Sequence, residues 1–386
     1  MKILFAPDSF KGSLSAVRIT QILEQRAALH FKGCQTISLP VADGGEGTVD
    51  ALVMALGGTK ATHAVSGPMG LAVEAAFGWL NDGEIAVVEM AEASGLPLMG
   101  SHPDPLKASS RGTGELIAHV IEQGAKSLLI GIGGSATNEG GMGMLAALGA
   151  VFYDDQDRVL YGTGEDLCKV VRLDLSGLNP LLSQVDITVI CDVTNPLLGV
   201  DGATAIYGPQ KGVTAELYPR IEAGMERYAA LLEEALGKDI ASAPGAGAAG
   251  GMGAALGGVL GARLRPGIDA VLETADFDRI MKECDLVITG EGRLDGQSVR
   301  FGKVPAGIAS RCNEQGVPVI AIVGSMGDGA QAYYDLGMTS IVTTVNAIMP
   351  LETAISDAEA LLSDAADRVF QMVKIGMHIQ NKQLEG

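Results

Sequence analysis

Basic runs are missing from this sequence. Lys and Arg number 27 against 46 Asp and Glu, the formal charge is −19 at pH 7, and no Lys/Arg cluster stands out. A nucleic-acid surface needs a basic patch that displaces phosphate counterions, so partners of that class are excluded. The acidity serves solubility. It also sets a condition: an anionic ligand has to meet a local focus of Lys, Arg and helix N-termini. Cysteine is scarce as well. The five cysteines, Cys34, Cys168, Cys191, Cys284 and Cys312, form no C-x-x-C pair and are odd in number. That excludes a disulfide framework and a zinc site, and points to a reducing compartment. The histidines at 30, 63, 102, 119 and 378 show no ligand spacing. No run reaches the roughly 18–20 apolar residues of a membrane helix, and the nearest, Pro244–Ala262, is broken by glycines. The opening apolar run ends at Pro7 and Asp8, which makes it a strand and not a signal peptide, so a cytoplasmic protein is expected.

What is present is ample apolar material and much glycine. Of 386 residues, 47 % are hydrophobic and only 4 % aromatic, so the core must be built from Ala, Val, Ile and Leu. This length implies two domains. The 53 glycines fall in clusters, as they do where backbone approaches a ligand or turns tightly from strand to helix. Periodicity predicts strand–turn–helix units. Strands are expected at Lys2–Ala6, Thr36–Leu39, Ser127–Ile132, Asp186–Cys191, Asp285–Thr289, Pro318–Val323 and Ser340–Val345, with Asp154 ending another. Helices are expected to start after Ser15 and after Gly47, and at Thr113–Gln123, Gly140–Leu148, Thr214–Leu236, Lys303–Glu314, Asp328–Leu336 and Leu351–Val373. The short β-rich strands read as parallel and covered on both faces. Ala72–Trp79 and Glu84–Met90, joined at Asn81-Asp82-Gly83, read as a hairpin, which does not belong in a purely parallel sheet. The expected fold class is therefore α/β with two domains. One, residues 1–62 plus 275–386, carries a mainly parallel Rossmann-like sheet. The other, residues 63–274, is an inserted mixed domain. The active site is expected in the cleft between them.

Five loops combine glycine with charge, and most follow a strand, where open α/β sheets bind ligands. In Pro7–Ser13, Lys11 stands just before a helix N-terminus, beside Gly12 and Ser13. That makes an anion site, or an ordinary turn. In Ala42–Gly47, Asp43 and Glu46 flank a glycine pair and suit Mg²⁺, or simply cap the next helix. The loop Gly131–Gly141 suits phosphate cradling by backbone N–H groups. Its Gly131-Ile132-Gly133, with Asp154 downstream, also matches a dinucleotide fingerprint. Asp192 can accept a proton from a substrate hydroxyl or hold Mg²⁺, or it initiates a turn before Asn195-Pro196. Lys211, in a Gly/Pro loop, suits a phosphate. Thr289–Asp295 offers Arg293 as a fork for a carboxylate. Gly296–Lys303 misses the Walker A spacing and is rejected as a P-loop, though Lys303 still stands at a helix start. Ser135 lacks a nucleophile-elbow context.

Taken together and in order, these loops resemble the type-1 glycerate kinase family. The matching stretches are PDSFKGS (7–13), PVADGGEGT (40–48), EMAEASGL (89–96), GTGELI (112–117), GIGGSATNEGGMG (131–143), CDVTNPLLG (191–199), GPQKG (208–212), PGAGAAGG (244–251), TGEGRLDGQS (289–298) and GKVP (302–305). One departure is Arg111, which stands where the resemblance expects an aromatic. The resemblance implies phosphorylation of D-glycerate by ATP with Mg²⁺, with 2-phosphoglycerate the favoured product. For that reaction the residues expected to carry catalysis are Asp192, Lys11 and Lys211, and those expected to hold the nucleotide are Gly133, Gly134, Ser135, Asn138, Ser13 and Lys303. Asp8, Asp43, Glu46, Glu291 and Arg293 would hold glycerate, and Asp43 and Asp192 the metal. The small molecule is the one partner required, and a homo-oligomer is compatible with the sequence. Two alternatives remain at this point: a nicotinamide-dependent oxidoreductase of a small hydroxy acid, and a non-enzymatic hydroxy-acid-binding protein.

Overall fold

A strand sandwiched between helices must be apolar on both sides, and Lys2–Pro7 is: Ile3, Leu4 and Phe5 are wholly buried. The structure is a computed structural model that describes residues 1–41, 47–100, 103–296 and 304–385. In it this strand belongs to a five-stranded sheet ordered Ser340–Thr343, Val319–Val323, Leu286–Gly290, Lys2–Pro7, Gln35–Ser38. Every pairing is parallel, and Pro7 lies in register with Gly290. The Ser15 side chain accepts the Arg18 N–H at 3.1 Å and so caps the helix Ala16–His30. That helix shares a buried cluster with the sheet and with Leu362, Ala366 and Phe370 of the helix Ala358–Glu385. The single closing helix expected over Leu351–Val373 is in fact two, Leu351–Ser356 and Ala358–Glu385. Asp357, at φ −99° and ψ 12°, leaves the helical path between them.

The second sheet has six strands, ordered Arg263–Arg265, Asp186–Ile190, Ser127–Gly131, Ile85–Glu89, Ala72–Leu80, Thr59–Ser66. The first four run parallel, with Gly131 in register with both Ile190 and Glu89. The last two are antiparallel, so the hairpin expected at Asn81-Asp82-Gly83 is present. Its turn puts Asn81 and Asp82 at φ 49° and 52°, in the left-handed region that Asn and Asp tolerate. Thr59–Ser66 is a strand that periodicity missed. It is a polar edge strand whose residues up to Ala64 reach solvent, so it carries little hydrophobic signal. Because it lies wholly in this sheet, residues 59–62 belong with the second unit and not the first. By packing, one unit comprises Met1–Asp43, Asp50–Leu56 and Ile268–Gly386, and the other Gly44–Val49 and Gly57–Gly267.

Two further corrections follow from local chemistry. The helix expected from Thr214 starts at Tyr218, after a turn in which the Leu217 N–H bonds Thr214. The helix expected over Asp328–Leu336 shrinks to Ala332–Asp335, because Gly329 takes φ 79°.

Candidate active site

In the first unit, the chain leaves two adjacent strands as Asp8 and Glu291. The Asp8 N–H donates to the Gly290 carbonyl at 2.8 Å, and both acidic residues are 5 % exposed. Gly290 has no alternative, since a Cβ there would stand 2.0 Å from the Ile322 carbonyl oxygen. Asp8 Oδ1 accepts the Ser9 N–H at 2.6 Å. The Phe10 carbonyl then accepts the N–H groups of Ser13 and Leu14 at 2.8 and 3.1 Å, closing a tight turn with Gly12 at φ 77°. That turn leaves Lys11, Gly12 and Ser13 exposed. It also approaches the other loop, as a Cβ on Gly292 would lie 3.5 Å from the Lys11 nitrogen. Arg293 is exposed and faces Asp295 at 3.5 Å. This sheet edge therefore gathers Asp8, Lys11, Ser13 and Glu291, with Arg293 at its rim. Asp43, Glu46 and Lys303 lie outside the described residues.

In the second unit, the neighbouring strands Ser127–Gly131 and Asp186–Ile190 lead into the Gly131–Gly141 loop and into Cys191–Pro196. Only the start of the glycine loop meets solvent: Gly134 is exposed and Gly133 half-buried, while Ser135 to Gly140 are buried. The loop is pinned at both ends of that exposed turn. The Leu96 N–H donates to the Gly134 carbonyl and the Ala136 N–H to the Ser94 carbonyl, each at 2.9 Å. Of the nucleotide-binding residues expected here, Gly133 and Gly134 are thus displayed. Asn138 is not: its amide donates to Thr204 Oγ1 at 3.2 Å within the core. Asp192 is half-buried, and its Oδ1 accepts the N–H of Gly267, the first residue of the helix Gly267–Thr274, at 2.7 Å.

The segment Pro244–Gly251 explains its glycines by packing on both loops. The Gly140 N–H donates to Gly250, and the Gly247 N–H to Asn195, each at 2.9 Å. A Cβ at Gly250 would lie 2.0 Å from the Thr137 oxygen, and one at Gly247 2.1 Å from the Pro196 oxygen. The sequence displays this motif without its purpose, which is backbone-to-backbone approach. Glu89 has a bracing role that the sequence reading missed. It ends the strand Ile85–Glu89, is 3 % exposed, and accepts the N–H groups of Gly47 and Val49 at 3.2 and 2.7 Å. It thereby fixes the start of the helix Thr48–Leu56.

Lys211 departs most from expectation. A phosphate-binding lysine should reach solvent, yet this one is 1 % exposed. Its Nζ donates to Ser135 Oγ and to the Thr137 carbonyl, both at 2.7 Å. Burial pulls its pKa down to about 7, against the opposing pull of Glu139. Glu139 is itself wholly buried, and burial pushes its carboxyl up, countered by bonds from Ser110, Met142 and Gly143. Its Oε1 accepts the Ser110 N–H at 2.7 Å, and Ser110 Oγ in turn accepts the Met144 N–H at 2.9 Å. Sequence reasoning passed over Glu139 and Ser110 because neither a buried carboxylate nor its hydroxyl partner carries a pattern of its own. Arg111, the departure noted above, pairs with Glu115 at 3.0 Å along its own helix.

The dinucleotide reading is overturned. Asp154 follows Val151–Tyr153 in a separate three-stranded sheet. Its carboxylate is held by the N–H groups of Gln156 and Arg158 and by the Arg158 guanidinium, so it is committed to its own turn and not offered to a ribose. Among the described residues, no group of three or more His, Cys, Asp or Glu is arranged to hold a metal by itself. The available donors are carboxylate oxygens, which suit Mg²⁺ when it keeps waters and phosphate oxygens as its remaining ligands.

Comparison with known proteins agrees across the whole chain. The model of the glycerate kinase family matches residues 3–374. A protein of Bacillus subtilis (strain 168) named glycerate kinase is 45 % identical over 97 % of this chain and 98 % of its own length. One of Escherichia coli (strain K12) named glycerate 2-kinase is 44 % identical over 98 % of this chain and 99 % of its own. A crystal structure from Salmonella typhimurium LT2, described as a glycerate kinase 2, superposes with a TM-score of 0.89 at 43 % identity. It covers 98 % of this chain and 99 % of that one.

Proposed function

The chain belongs to the glycerate kinase family, and from that membership we propose that it transfers the γ-phosphoryl group of ATP, with Mg²⁺, to D-glycerate, at the 2-hydroxyl. Phosphorylation of glycerate is the activity that family and relatives establish, and neither the oxidoreductase nor the non-enzymatic reading has support. The donor, the metal, the enantiomer, the hydroxyl and the residue roles are our reading. No helix among the described residues is long and apolar enough to cross a membrane, which suits the cytoplasmic setting we propose.

The observation that carries this reading is that the Gly133–Gly134 turn, with Gly134 exposed, and Asp192 each follow the carboxyl end of one of two adjacent parallel strands. Phosphoryl transfer asks chiefly for positioning and for neutralisation of charge. In the second unit, the Gly133–Gly134 turn supplies backbone to phosphate oxygens, with Ser135 and Asn138 holding the loop that follows. Asp192 has one oxygen on the Gly267 N–H, which orients the carboxylate to accept the glycerate hydroxyl proton. In the first unit, Lys11 and Ser13 offer a cation and a hydroxyl to phosphates. Asp8, Glu291 and Arg293 serve the glycerate hydroxyls and carboxylate, together with Asp43 and Glu46, and Lys303 joins the nucleotide set. Asp43 would hold Mg²⁺, as would Asp192 in the alternative to its role as base, and the ion when bound neutralises phosphate charge.

A coupled assay of ADP release tests this reading. Turnover should require ATP, D-glycerate and a divalent cation, and NMR of the product should show 2-phosphoglycerate. Turnover unaffected by thorough chelation counts against the metal, and 3-phosphoglycerate against the position.

A further inference from the structure

A buried lysine ammonium is costly unless its donors are used and its charge is compensated. Lys211 meets both conditions inside one loop. Its Nζ holds the Ser135 hydroxyl and the Thr137 carbonyl at 2.7 Å each, and Glu139, two residues further on, supplies the opposing charge. The lysine is 1 % exposed and Glu139 not at all, whereas Gly134, next to Ser135, faces solvent. The cation therefore stands on the inner side of the very turn that displays its backbone outward. A buried charge is screened far less than an exposed one, so it is felt across a single layer of backbone. In a chain of formal charge −19, such a positive charge behind a phosphate-binding turn is a means of attracting an anion without exposing a cation.

We propose that Lys211 is a positioning residue: from inside the fold it ties Ser135 and Thr137 in place and sets a positive charge behind the Gly133–Gly134 turn, so that the turn takes a phosphate group and the bound phosphate draws a proton from solvent onto Lys211. This rests on the reading of that turn as the nucleotide site. It replaces direct contact between Lys211 and phosphate by action through the loop. The proton uptake follows from linkage. An amine that titrates near neutrality is partly neutral in the free protein, and a nearby anion favours its charged form. The titratable group that bears on it is Glu139, which also acts on the buried phenol of Tyr228.

Calorimetry with ADP as the probe tests this. Titrations run at about pH 8, above the pKa of Lys211 and below that of a free lysine, in two buffers of different ionisation enthalpy. The natural chain should take up protons on binding ADP. Lys211→Met, similar in length but without charge or donors, should lose that uptake and bind ADP at least roughly tenfold more weakly. Its KM for glycerate at saturating nucleotide should stay within about twofold. A folded Lys211→Met that keeps the natural ADP affinity and uptake overturns the proposal. Glu139→Gln guards against a lysine variant that does not fold. Without the carboxylate charge, Lys211 holds its proton less firmly, so the pH of greatest uptake should move down. An unmoved maximum overturns the proposal equally. A natural chain that turns over glycerate while Lys211→Met binds ADP normally overturns this inference alone. A natural chain that binds no ADP overturns the nucleotide reading beneath it as well.

Discussion

The two sheet edges that we propose as anion sites are built in opposite ways. At the five-stranded edge, the cations and hydroxyl we assign to a ligand, on Lys11, Arg293 and Ser13, are exposed, and they surround the buried carboxylates of Asp8 and Glu291. At the six-stranded edge, the loop displays little more than Gly133 and Gly134, and everything after them turns inward. There Ser135, Thr137, Asn138, Glu139 and Lys211 are buried and bonded to one another or to neighbouring elements. The first arrangement can adapt, because long exposed side chains change rotamer freely. The second is pre-organised, because moving any member leaves a buried polar group unpaired. The contrast teaches that geometry is stored in the second unit, while charge that can follow a substrate is stored in the first.

The sharpest way to break that contrast is at the packing that holds the inner loop. Gly250 sits at φ 73°, and a Cβ would meet the Thr137 oxygen at 2.0 Å. Gly250→Val should therefore cost about 4 kcal/mol or more and lower the melting temperature steeply. Gly134 is strained in the same sense at φ 69°, but its nearest neighbour is only the Ala91 side chain at 3.3 Å. Gly134→Val should remain folded and bind ADP more weakly. Equal melting losses in the two variants would mean that the loop is uniformly packed and displays nothing.

Asp192 comes next in size. Asp192→Asn keeps an oxygen for the Gly267 N–H and removes only the charge. The expected loss in kcat is at least roughly 10²-fold, with stability changed by no more than about 1 kcal/mol. Near-normal kcat with a large loss of stability would make the residue a brace for the helix start at Gly267. A modest loss restored by raised Mg²⁺ would make it a metal ligand.

How much of this was legible in the sequence depends on which signal each residue carries. The parallel strands were, because runs such as Ile3–Phe5 and Val319–Val323 are apolar on both faces. The hairpin was, through its Asn-Asp-Gly turn. The strand Thr59–Ser66 was not, since an edge strand needs no second apolar face. Among site residues, Asp8 and Glu291 were marked by their places just after strands. Lys211 was marked as well, but with the wrong surroundings: a lysine in a Gly/Pro loop reads as exposed, and only its partners Ser135 and Thr137, more than seventy positions away, show that it is buried. Glu139 and Glu89 were invisible because a carboxylate accepting backbone N–H groups has no sequence spacing of its own.

The smallest expected effect separates the two units by the pH at which their charged braces matter. In the first unit Asp367 accepts from both Arg26 and His30, at 2.8 Å from Arg26 Nε and from His30 Nε2. Burial works to raise the Asp367 pKa, but the bonds from Arg26 and His30 outweigh it and hold it below the usual carboxylate range. A carboxylate whose folded pKa lies below its unfolded value adds stability above the unfolded value and loses it as pH falls through the folded one. Asp367→Asn should therefore cost about 1 kcal/mol at neutral pH, and the difference from the natural chain should shrink as pH falls below the ordinary carboxylate range. In the second unit the sign is the same, but the window lies at neutral to alkaline pH and the form favoured by folding is the neutral one. Lys211 has its pKa lowered from 10.5 to about 7, so between those values the folded chain binds fewer protons than the unfolded one. Its contribution therefore rises with pH across that window, by up to about 1.4 kcal/mol per unit. Urea melts from acid to alkaline pH on the natural chain, Asp367→Asn and Lys211→Met read both. The natural chain should gain on Asp367→Asn as pH rises out of the acid range, and on Lys211→Met only above neutrality. Differences that stay flat with pH would show that both residues act through packing, and the contrast between a half-buried brace and a fully buried one would then have no electrostatic content.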